Sequence, residues 1–183
     1  MTGKTTLSSF NNSWYQPGGN PITRLLWYFT NEIFINSAFP LSGIKVLALK
    51  IFGAKIGKGV LIKPRVNIKY PWRLKIGNYV WIGEQVWIDN LGDVIIEDHV
   101  CISQGAMLLC GNHDYKKTTF DLMVGTIHLK QGAWIGAKSV VCPGLVVGEH
   151  AVLSVGSVAS KDLEPYWVYR GNPAEKIKQR VIN

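Results

Sequence analysis

The chain has 183 residues and a mass of 20.4 kDa, which suits one domain and excludes a fusion of two enzymes. Apolar residues make up 47% and charged residues 17%, so a folded chain is expected and disorder is excluded. The net charge of +8 suits nucleic acid, an anionic membrane or a phosphorylated cofactor, and does not choose among them. The three cysteines lack CxxC spacing, which argues against a disulfide framework or a zinc ribbon.

The N-terminal segment, residues 1–55, predicts two amphipathic helices. Apolar residues recur there at helical spacing in two runs, Ile22, Leu25, Leu26, Phe29 and Ile33, then Ile44, Leu47, Ala48 and Ile51. We interpret the helices as an apolar cap on the following domain, with peripheral membrane contact as the alternative. The first twenty residues lack the apolar stretch of a secretory signal, so a cytoplasmic location is expected, at the inner face of the membrane if the helices bind it.

From residue 56 the chain repeats every six residues. Fourteen of the fifteen positions that begin a hexad are Ile, Leu or Val; the set is Ile56, Ile62, Ile68, Ile76, Ile82, Ile88, Ile96, Ile102, Leu108, Leu129, Ile135, Val141, Val147, Leu153 and Ala159. Glycine follows the aliphatic residue at positions 57, 77, 83, 136 and 148. Such a hexad indicates a short strand and a turn, and three hexads form one coil of a parallel β-helix. The repeat is predicted to occupy residues 56–164.

Extra residues enter the repeat at one corner. Coils begin at residues 56, 76, 96, 129 and 147, and each surplus over eighteen residues follows the third hexad. The longest insertion, residues 114–128, is predicted to be a loop beside the functional site, because solenoids collect insertions on their binding face. Residues 165–183 form a C-terminal segment, for which a short basic helix is predicted from Ala174 to Val181.

The hexads and three short segments together resemble the hexapeptide-repeat acyltransferases. The segments are residues 111–115 (GNHDY), 156–162 (GSVASKD) and 171–174 (GNPA). Within that group the chain is most similar to the colanic acid biosynthesis O-acetyltransferases, which are related to maltose, galactoside and nodulation acetyltransferases. The resemblance implies an all-β fold, a left-handed parallel β-helix, assembled as a homotrimer with acetyl-CoA bound between neighbouring subunits. It also implies a sugar or a lipid-linked oligosaccharide of surface polysaccharide synthesis as the acceptor.

His113 stands immediately before the long insertion, and the resemblance implies that it is the catalytic base. A neutral imidazole can take the proton of a hydroxyl as that hydroxyl attacks a thioester. Asp114 or Asp89 is expected to orient the imidazole, and the sequence does not choose between them. Cys110 permits a covalent alternative with a thiol nucleophile, although a buried thiol is the commoner case.

Acceptor binding is predicted for polar residues near the same corner. Asp89 and Asn90 lie one coil before His113, and His128 ends the insertion. His99 and His150 take the fourth place of a hexad, which predicts exposed turn residues.

Cofactor binding is predicted in the last coils. The resemblance implies that Ala137 and Val155 line the pantetheine arm of acetyl-CoA. It further implies that Ser160, Lys161 and Lys178 face the nucleotide phosphates.

Other functions fit the sequence less well. A γ-type carbonic anhydrase shares this kind of fold, but the histidines here are 14, 15 and 22 residues apart, so its zinc ligands are missing and no metal is expected. A non-catalytic scaffold leaves the inserted corner unexplained, and no nucleic-acid motif accompanies the positive charge. Trp81, Trp87 and Trp134 are predicted to pack between subunits.

Overall fold

The computed structural model describes residues 3–183 and contains a parallel β-helix with three sheets; Met1 and Thr2 of the N-terminal segment lie outside the described residues. The first sheet contains Lys55–Ile56, Leu74–Ile76, Val94–Ile96, Ile127–Leu129 and Val146–Val147. The second contains Leu61–Ile62, Trp81–Ile82, Cys101–Ile102, Trp134–Ile135, Val152–Leu153, Trp167–Gly171 and Ala174–Gln179. The third contains Asn67–Ile68, Trp87–Asp89, Met107–Leu109, Val140–Val141 and Val158–Ala159. The predicted β-helix is confirmed.

The hexad positions form the core. Of the fifteen, fourteen are buried and Ile56 at the open end is partly exposed. Equivalent residues of successive coils pair in parallel register, as Ile62 does with Ile82 and Ile82 with Ile102. The inward side chains therefore stack in columns, and each coil buries the apolar face of its neighbours.

Backbone contacts between coils explain the recurrent glycines. A Cβ on Gly83 would lie 2.6 Å from the amide nitrogen of Gln104 on the next coil, and one on Gly136 would lie 2.6 Å from the carbonyl oxygen of Leu153. Glycine is required at these places because a methyl group has no room between the coils.

The turn residues His99 and His150 have positive φ angles of 59° and 53°. Both therefore lie in left-handed turns, as predicted; His99 is exposed as expected, whereas His150 is partly buried.

The long insertion contains a β-hairpin rather than an irregular loop. The chain leaves the third coil after the buried Cys110, forms the strands Gly111–His113 and Leu122–Val124, and rejoins the first sheet at Ile127. His113 pairs with Leu122 across the hairpin. His113 consequently belongs to the hairpin.

Two helices cover the open end of the first coil. The face that each helix turns toward the coil is opposite to the predicted apolar stripe. Helix α1 is Pro21–Thr30, continued by a π-helical turn Asn31–Ile35, and α2 is Ser42–Ile51. The side chain of Asn20 accepts a hydrogen bond of 2.8 Å from the Thr23 amide and caps α1. Trp27, Ile35 and Leu49 are buried against the coil, whereas the predicted apolar stripe of α1 is exposed to solvent. In residues 3–183, no helix has both the length and the apolar character that crossing a membrane requires.

The predicted C-terminal helix is wrong. Ala174–Gln179 is a strand that pairs antiparallel with Trp167–Gly171, which in turn extends the second sheet from Val152–Leu153. Lys176 bonds to Glu164 at 2.6 Å and lies 4.4 Å from the centre of the Trp167 ring. A hairpin forms because the last coil exposes an unpaired strand edge, which another strand can satisfy and a helix cannot.

Candidate functional site

The hairpin holds His113 between two aromatic rings. The ring of Phe120 is stacked on the imidazole at 4.4 Å between centroids and 6° between planes. Phe10, from the N-terminal segment, approaches the imidazole at 5.6 Å and 58°. Both rings restrict the orientation of the imidazole, which is partly buried.

A backbone carbonyl determines the tautomer of His113. Nδ1 lies 2.9 Å from the carbonyl oxygen of Phe120, which can only accept a hydrogen bond. Neutral His113 therefore carries its proton on Nδ1 and donates it to Phe120, which leaves a lone pair on Nε2. Among residues 3–183, Nε2 has no hydrogen-bond partner, so this nitrogen is available to take a proton from a bound molecule.

The predicted carboxylate partners of His113 have other roles within the described chain. Asp114 accepts a hydrogen bond of 3.1 Å from the Lys116 amide and stabilises the hairpin turn, while its own amide bonds to Asp121. Asp89 binds Lys69 at 2.9 Å. The expectation that one of these carboxylates orients the imidazole is corrected, because the Phe120 carbonyl already occupies Nδ1.

The N-terminal strap, residues 3–20, completes a cavity beside His113. The Thr6 amide donates to the Thr118 carbonyl at 2.8 Å, and the Tyr15 hydroxyl donates to the Leu91 carbonyl at 2.8 Å. Burial and the neighbouring Tyr70 raise the pKa of Tyr15 to about 12, so the phenol stays neutral. The cavity has a volume of about 590 Å³, and Phe10, Tyr15 and His113 line it. Sequence reasoning missed the strap, since no local pattern links residues so distant along the chain.

Asp89 lies in a second cavity next to the first. This cavity of about 290 Å³ is lined by Tyr28 of α1 and by Lys69, Tyr70, Trp87 and Asp89. Lys69 and Tyr70 also line the cavity of His113, so the two cavities are adjacent. Lys69 stands twenty residues before Asp89, the spacing of one coil, and that spacing is the signal by which it could have been found.

Asn90 has a structural role, and the prediction of acceptor binding is corrected. It is fully buried, its Oδ1 accepts from the Tyr70 amide at 2.9 Å, and its Nδ2 donates to the Tyr70 carbonyl. Both ends of the amide therefore join two coils, and neither is available to a sugar.

His128 is also displaced from the predicted site. It lies on the first sheet, and its Nε2 is 2.7 Å from Glu97. Burial alone would raise the pKa of Glu97, but hydrogen bonds from Lys130, the Gln131 amide and His128 hold it below its usual range. His128 therefore belongs to a polar cluster on another face, and it lines neither cavity described above.

The environment of Cys110 disfavours a thiol nucleophile. Its side chain is fully buried, and its Sγ lies 3.9 Å from the Asp93 carbonyl oxygen. Burial raises the pKa of the thiol to about 11, so the reactive thiolate is scarce at neutral pH.

We expect Cys110→Ser to retain most of the activity. The hydroxyl replaces a thiol in an apolar site, so stability should fall by about 1–2 kcal/mol while kcat stays within about threefold of the parent. Thermal unfolding and steady-state kinetics check this, with Cys142→Ser as the control at a partly exposed position. Abolished turnover together with an acyl-enzyme detected by mass spectrometry in the parent would instead establish covalent catalysis.

A separate groove runs along the outer side of the second sheet. It has a volume of about 810 Å³, and Ala137, Val155 and Lys178 lie together in its lining. Arg170 and Arg180 line it too, and both were missed because the sequence predicted a helix in place of the hairpin that positions them. Apolar walls beside three cations suit a long, partly apolar ligand with phosphate groups.

Two residues predicted at this groove lie elsewhere. Ser160 and Lys161 follow the strand Val158–Ala159 of the third sheet at an exposed corner, outside the groove of the same chain. A position one hexad away along the sequence is on a different sheet, so these two residues could reach acetyl-CoA only at a site shared with a neighbouring subunit, and their role there stays a prediction.

Metal ligands are not grouped in the part of the chain that the structure describes. Within residues 3–183, no set of three or more His, Cys, Asp or Glu side chains is placed to hold an ion.

Comparison with known proteins agrees with this architecture. No family model matches the chain. The colanic acid biosynthesis acetyltransferase WcaF of Escherichia coli K12 is 38% identical over 165 residues, which cover 90% of this chain and 91% of that protein. The acetyltransferase SAV2555 of Staphylococcus aureus is 28% identical over 113 residues, covering 60% and 57%.

Solved structures share the same fold. A galactoside acetyltransferase in complex with coenzyme A superimposes with a TM-score of 0.77 at 24% identity, covering 87% of this chain and 81% of that one. The hexapeptide-repeat acetyltransferase VCA0836 of Vibrio cholerae, complexed with acetyl coenzyme A, has a TM-score of 0.78 at 18% identity and covers 88% of each chain. The predicted left-handed β-helix is thereby confirmed.

The fold and the relatives define an acetyltransferase of the hexapeptide-repeat class. More specifically, the chain belongs to the family of the colanic acid biosynthesis acetyltransferases, because it is 38% identical to WcaF over almost its whole length.

Proposed function

We propose that this acetyltransferase moves the acetyl group of acetyl-CoA to a sugar hydroxyl during the synthesis of a surface polysaccharide. The observation that carries the proposal is the imidazole of His113, whose Nδ1 is held by the Phe120 carbonyl at 2.9 Å while its Nε2 remains available beside a cavity. The name of the WcaF relative supports a role in polysaccharide synthesis.

His113 supplies the proton transfer in the proposed reaction. Its Nε2 takes the hydroxyl proton as the acceptor oxygen attacks the thioester carbonyl, and the Phe120 carbonyl stabilises the resulting imidazolium through Nδ1. The carbon–sulfur bond then breaks, and the imidazolium returns the proton to the departing thiolate. The products are an acetyl ester and coenzyme A, and no acyl-enzyme is required.

Acceptor recognition is assigned to the two adjacent cavities. Asp89 and Lys69 offer an acceptor and a donor for sugar hydroxyls, and Tyr70 and Trp87 offer aromatic surfaces on which a pyranose ring can pack. We infer that Asp89 binds the acceptor, as the sequence predicted.

The groove on the second sheet is the proposed site for acetyl-CoA. Its cations Arg170, Lys178 and Arg180 suit the phosphates, and Ala137 and Val155 lie along the wall that would contact the pantetheine arm. The lining of this groove shares no residue with the cavity of His113, so one chain holds the two halves of the site on separate surfaces.

A homotrimer would bring these halves together across subunit boundaries. Trp81 and Trp134 are 60% and 45% exposed in one row of the second sheet, and subunit contacts would bury them; Trp87 is on the third sheet and belongs to a different surface. Sedimentation equilibrium should give three times the mass of the chain. A monomer of 20.4 kDa that retains activity would contradict the shared site.

We expect Lys178→Ala to weaken binding of acetyl-CoA. Loss of one charged contact to a phosphate should raise the KM for acetyl-CoA by about tenfold with little change in kcat. Lys75→Ala, at an exposed lysine of the first sheet outside the groove, is the control and should stay within about twofold of the parent. Equal effects of the two substitutions would contradict the assignment of the groove.

Mass spectrometry of cell polysaccharide tests the function directly. A strain that lacks this protein should lose one acetyl increment from the polysaccharide and from its lipid-linked precursor, and the parent gene should restore it. Complementation with His113→Ala should fail although the protein accumulates. Unchanged acetylation in the deletion strain would overturn the proposal. We also propose a cytoplasmic location for the enzyme, the one expected from the sequence.

A further inference from the structure

The helices α1 and α2 expose apolar side chains that nothing among residues 3–183 covers. On α1 and its π-helical turn these are Ile22, Leu25, Leu26, Phe29 and Ile33, which are between 53% and 70% exposed. On α2, Ile44, Leu47 and Ile51 are between 42% and 71% exposed. We call these eight residues the helical apolar face. The π-helical turn contacts both helices, and eight large exposed apolar side chains on these neighbouring elements indicate an interaction site.

Polar contacts on the other side show why this face points outward. Trp27 Nε1 donates to the Ile68 carbonyl at 3.0 Å, and the side chain of Asn31 accepts from the Ile68 amide at 3.3 Å. Lys45, fully buried, donates through Nζ to the Lys63 carbonyl at 2.9 Å. The open end of the first coil has unpaired backbone groups, so the helices turn polar side chains toward it. The inner side of the helices thus combines these polar contacts with the buried side chains of Trp27, Ile35 and Leu49, and the predicted apolar stripe is left facing outward.

Charge is distributed unevenly along the chain in the same region. Residues 1–76 contain eleven lysines and arginines and one acidic residue, Glu32, a net charge of +10. Residues 77–183 contain nine basic and eleven acidic residues, a net charge of −2. The net positive charge of the protein therefore comes from residues 1–76, which include the strap, the helices and the first coil.

Exposed basic residues of the first coil flank the helices. They are Lys55, Lys58, Lys63 and Arg65, and α2 contacts the strands Lys55–Ile56 and Leu61–Ile62 directly. Among residues 3–183, none of the four forms an ion pair with a carboxylate. They are consequently available to a negatively charged surface outside the chain.

We propose that the helical apolar face docks on the surface of an anionic lipid bilayer. An apolar face with a basic surround is the combination that holds amphipathic helices in a membrane interface, where the aliphatic side chains enter the acyl boundary and the cations meet the headgroups. A second copy of the chain is a poorer occupant, because it would bring a second set of the exposed residues Lys55, Lys58, Lys63 and Arg65 to the same contact. This inference does not depend on the proposed acetyl transfer.

Docking would place a substrate cavity at the membrane. Arg24 and Tyr28 of α1 line the cavity that contains Asp89, and Leu25 and Phe29 of the helical apolar face are their neighbours in sequence. This one consequence rests on the proposed function: if the cavity of Asp89 binds the acceptor, an acceptor carried on a lipid would meet it beside the docked helix.

Vesicle co-sedimentation tests the proposal with the full chain. We expect the parent to bind vesicles of phosphatidylglycerol and phosphatidylcholine, to release from them as salt concentration rises, and to bind vesicles of phosphatidylcholine alone much more weakly. The triple variant Leu25→Gln, Phe29→Gln and Ile33→Gln should bind the anionic vesicles about tenfold or more weakly. The quadruple variant Lys55→Gln, Lys58→Gln, Lys63→Gln and Arg65→Gln should lose the preference for anionic lipid.

Matched controls separate docking from folding. Val181→Gln with Ile182→Gln removes two apolar side chains that are 80% and 54% exposed at the other end of the chain, and this variant should bind as the parent does. Circular dichroism and the melting temperature should show that the triple variant is folded, since its three positions are exposed. Absence of parent binding to anionic vesicles, or undiminished binding of the folded triple variant, would overturn the proposal. A smaller oligomer in the triple variant, without parent binding to vesicles, would assign the face to contact between copies and would likewise overturn it.

Discussion

Replacement of His113 by alanine should lower kcat by roughly 10²- to 10⁴-fold, the usual contribution of a general base. Without the imidazole, the attacking hydroxyl must lose its proton to water. The KM for acetyl-CoA and the oligomeric state should change little, because the donor groove shares no lining residue with the cavity of His113.

The control for this variant is a histidine outside the site. His99 is stacked on Tyr79 in a turn with a positive φ of 59°. The substitution His99→Asn removes this imidazole, and asparagine tolerates the positive φ. The turnover of His99→Asn should stay within a few-fold of the parent. Full activity of His113→Ala with an authentic acceptor would show that another group is the base, and Asp89, in the adjacent cavity, would be tested next.

The second large effect is expected on stability. Gly83→Ala should destabilise the protein by about 3 kcal/mol, since the new methyl group would lie 2.6 Å from Gln104 N, 2.8 Å from Ser103 C and 3.0 Å from Gln104 Cα. All three atoms are backbone, so no side-chain rotation relieves the contact. Separation of the coils would also strain the hydrogen bond of 2.7 Å from the Gly83 amide to the Ile102 carbonyl.

Thermal unfolding at one protein concentration measures this effect. A loss of about 3 kcal/mol corresponds to a decrease of about 6–12 °C in Tm for a chain of this size. Gly43→Ala is the matched control, because its added methyl group has no atom within 4 Å and lies in α2, where alanine favours the helix. Identical melting temperatures for Gly83→Ala and the parent would mean that the coils do not stack as closely as described.

The core and the coil register could be predicted from the sequence. Each hexad repeats the same local geometry, so a position such as Ile82 faces inward wherever its equivalents Ile62 and Ile102 do. The requirement for Gly83 follows from the same repetition. The contact between Lys69 and Asp89 and that between Tyr70 and Asn90 were also accessible, because twenty residues separate the members of each pair and one coil spans that interval.

The orientation of His113 depended on the tertiary structure. The sequence predicted a carboxylate partner, whereas the Phe120 carbonyl fills that role after the hairpin folds back, and Phe10 arrives from the N-terminal strap. Contacts of this kind depend on the path of the chain through the insertion and the strap, and no periodicity constrains that path.

At the two ends of the β-helix, the sequence determined some features and the tertiary structure determined others. Hydrophobic periodicity determined that α1 and α2 are helices with one apolar face, because the spacing of their side chains is local. Only the tertiary structure decided that this face points to solvent and that Ala174–Gln179 is a strand. At the N-terminal end the helices bond to the backbone of the first coil, as Trp27 does to the Ile68 carbonyl. At the C-terminal end Trp167–Gly171 pairs with the last coil, and Ala174–Gln179 pairs in turn with Trp167–Gly171. Unpaired backbone groups must bond to polar groups, and these partners are far apart in sequence, so no local pattern contains them.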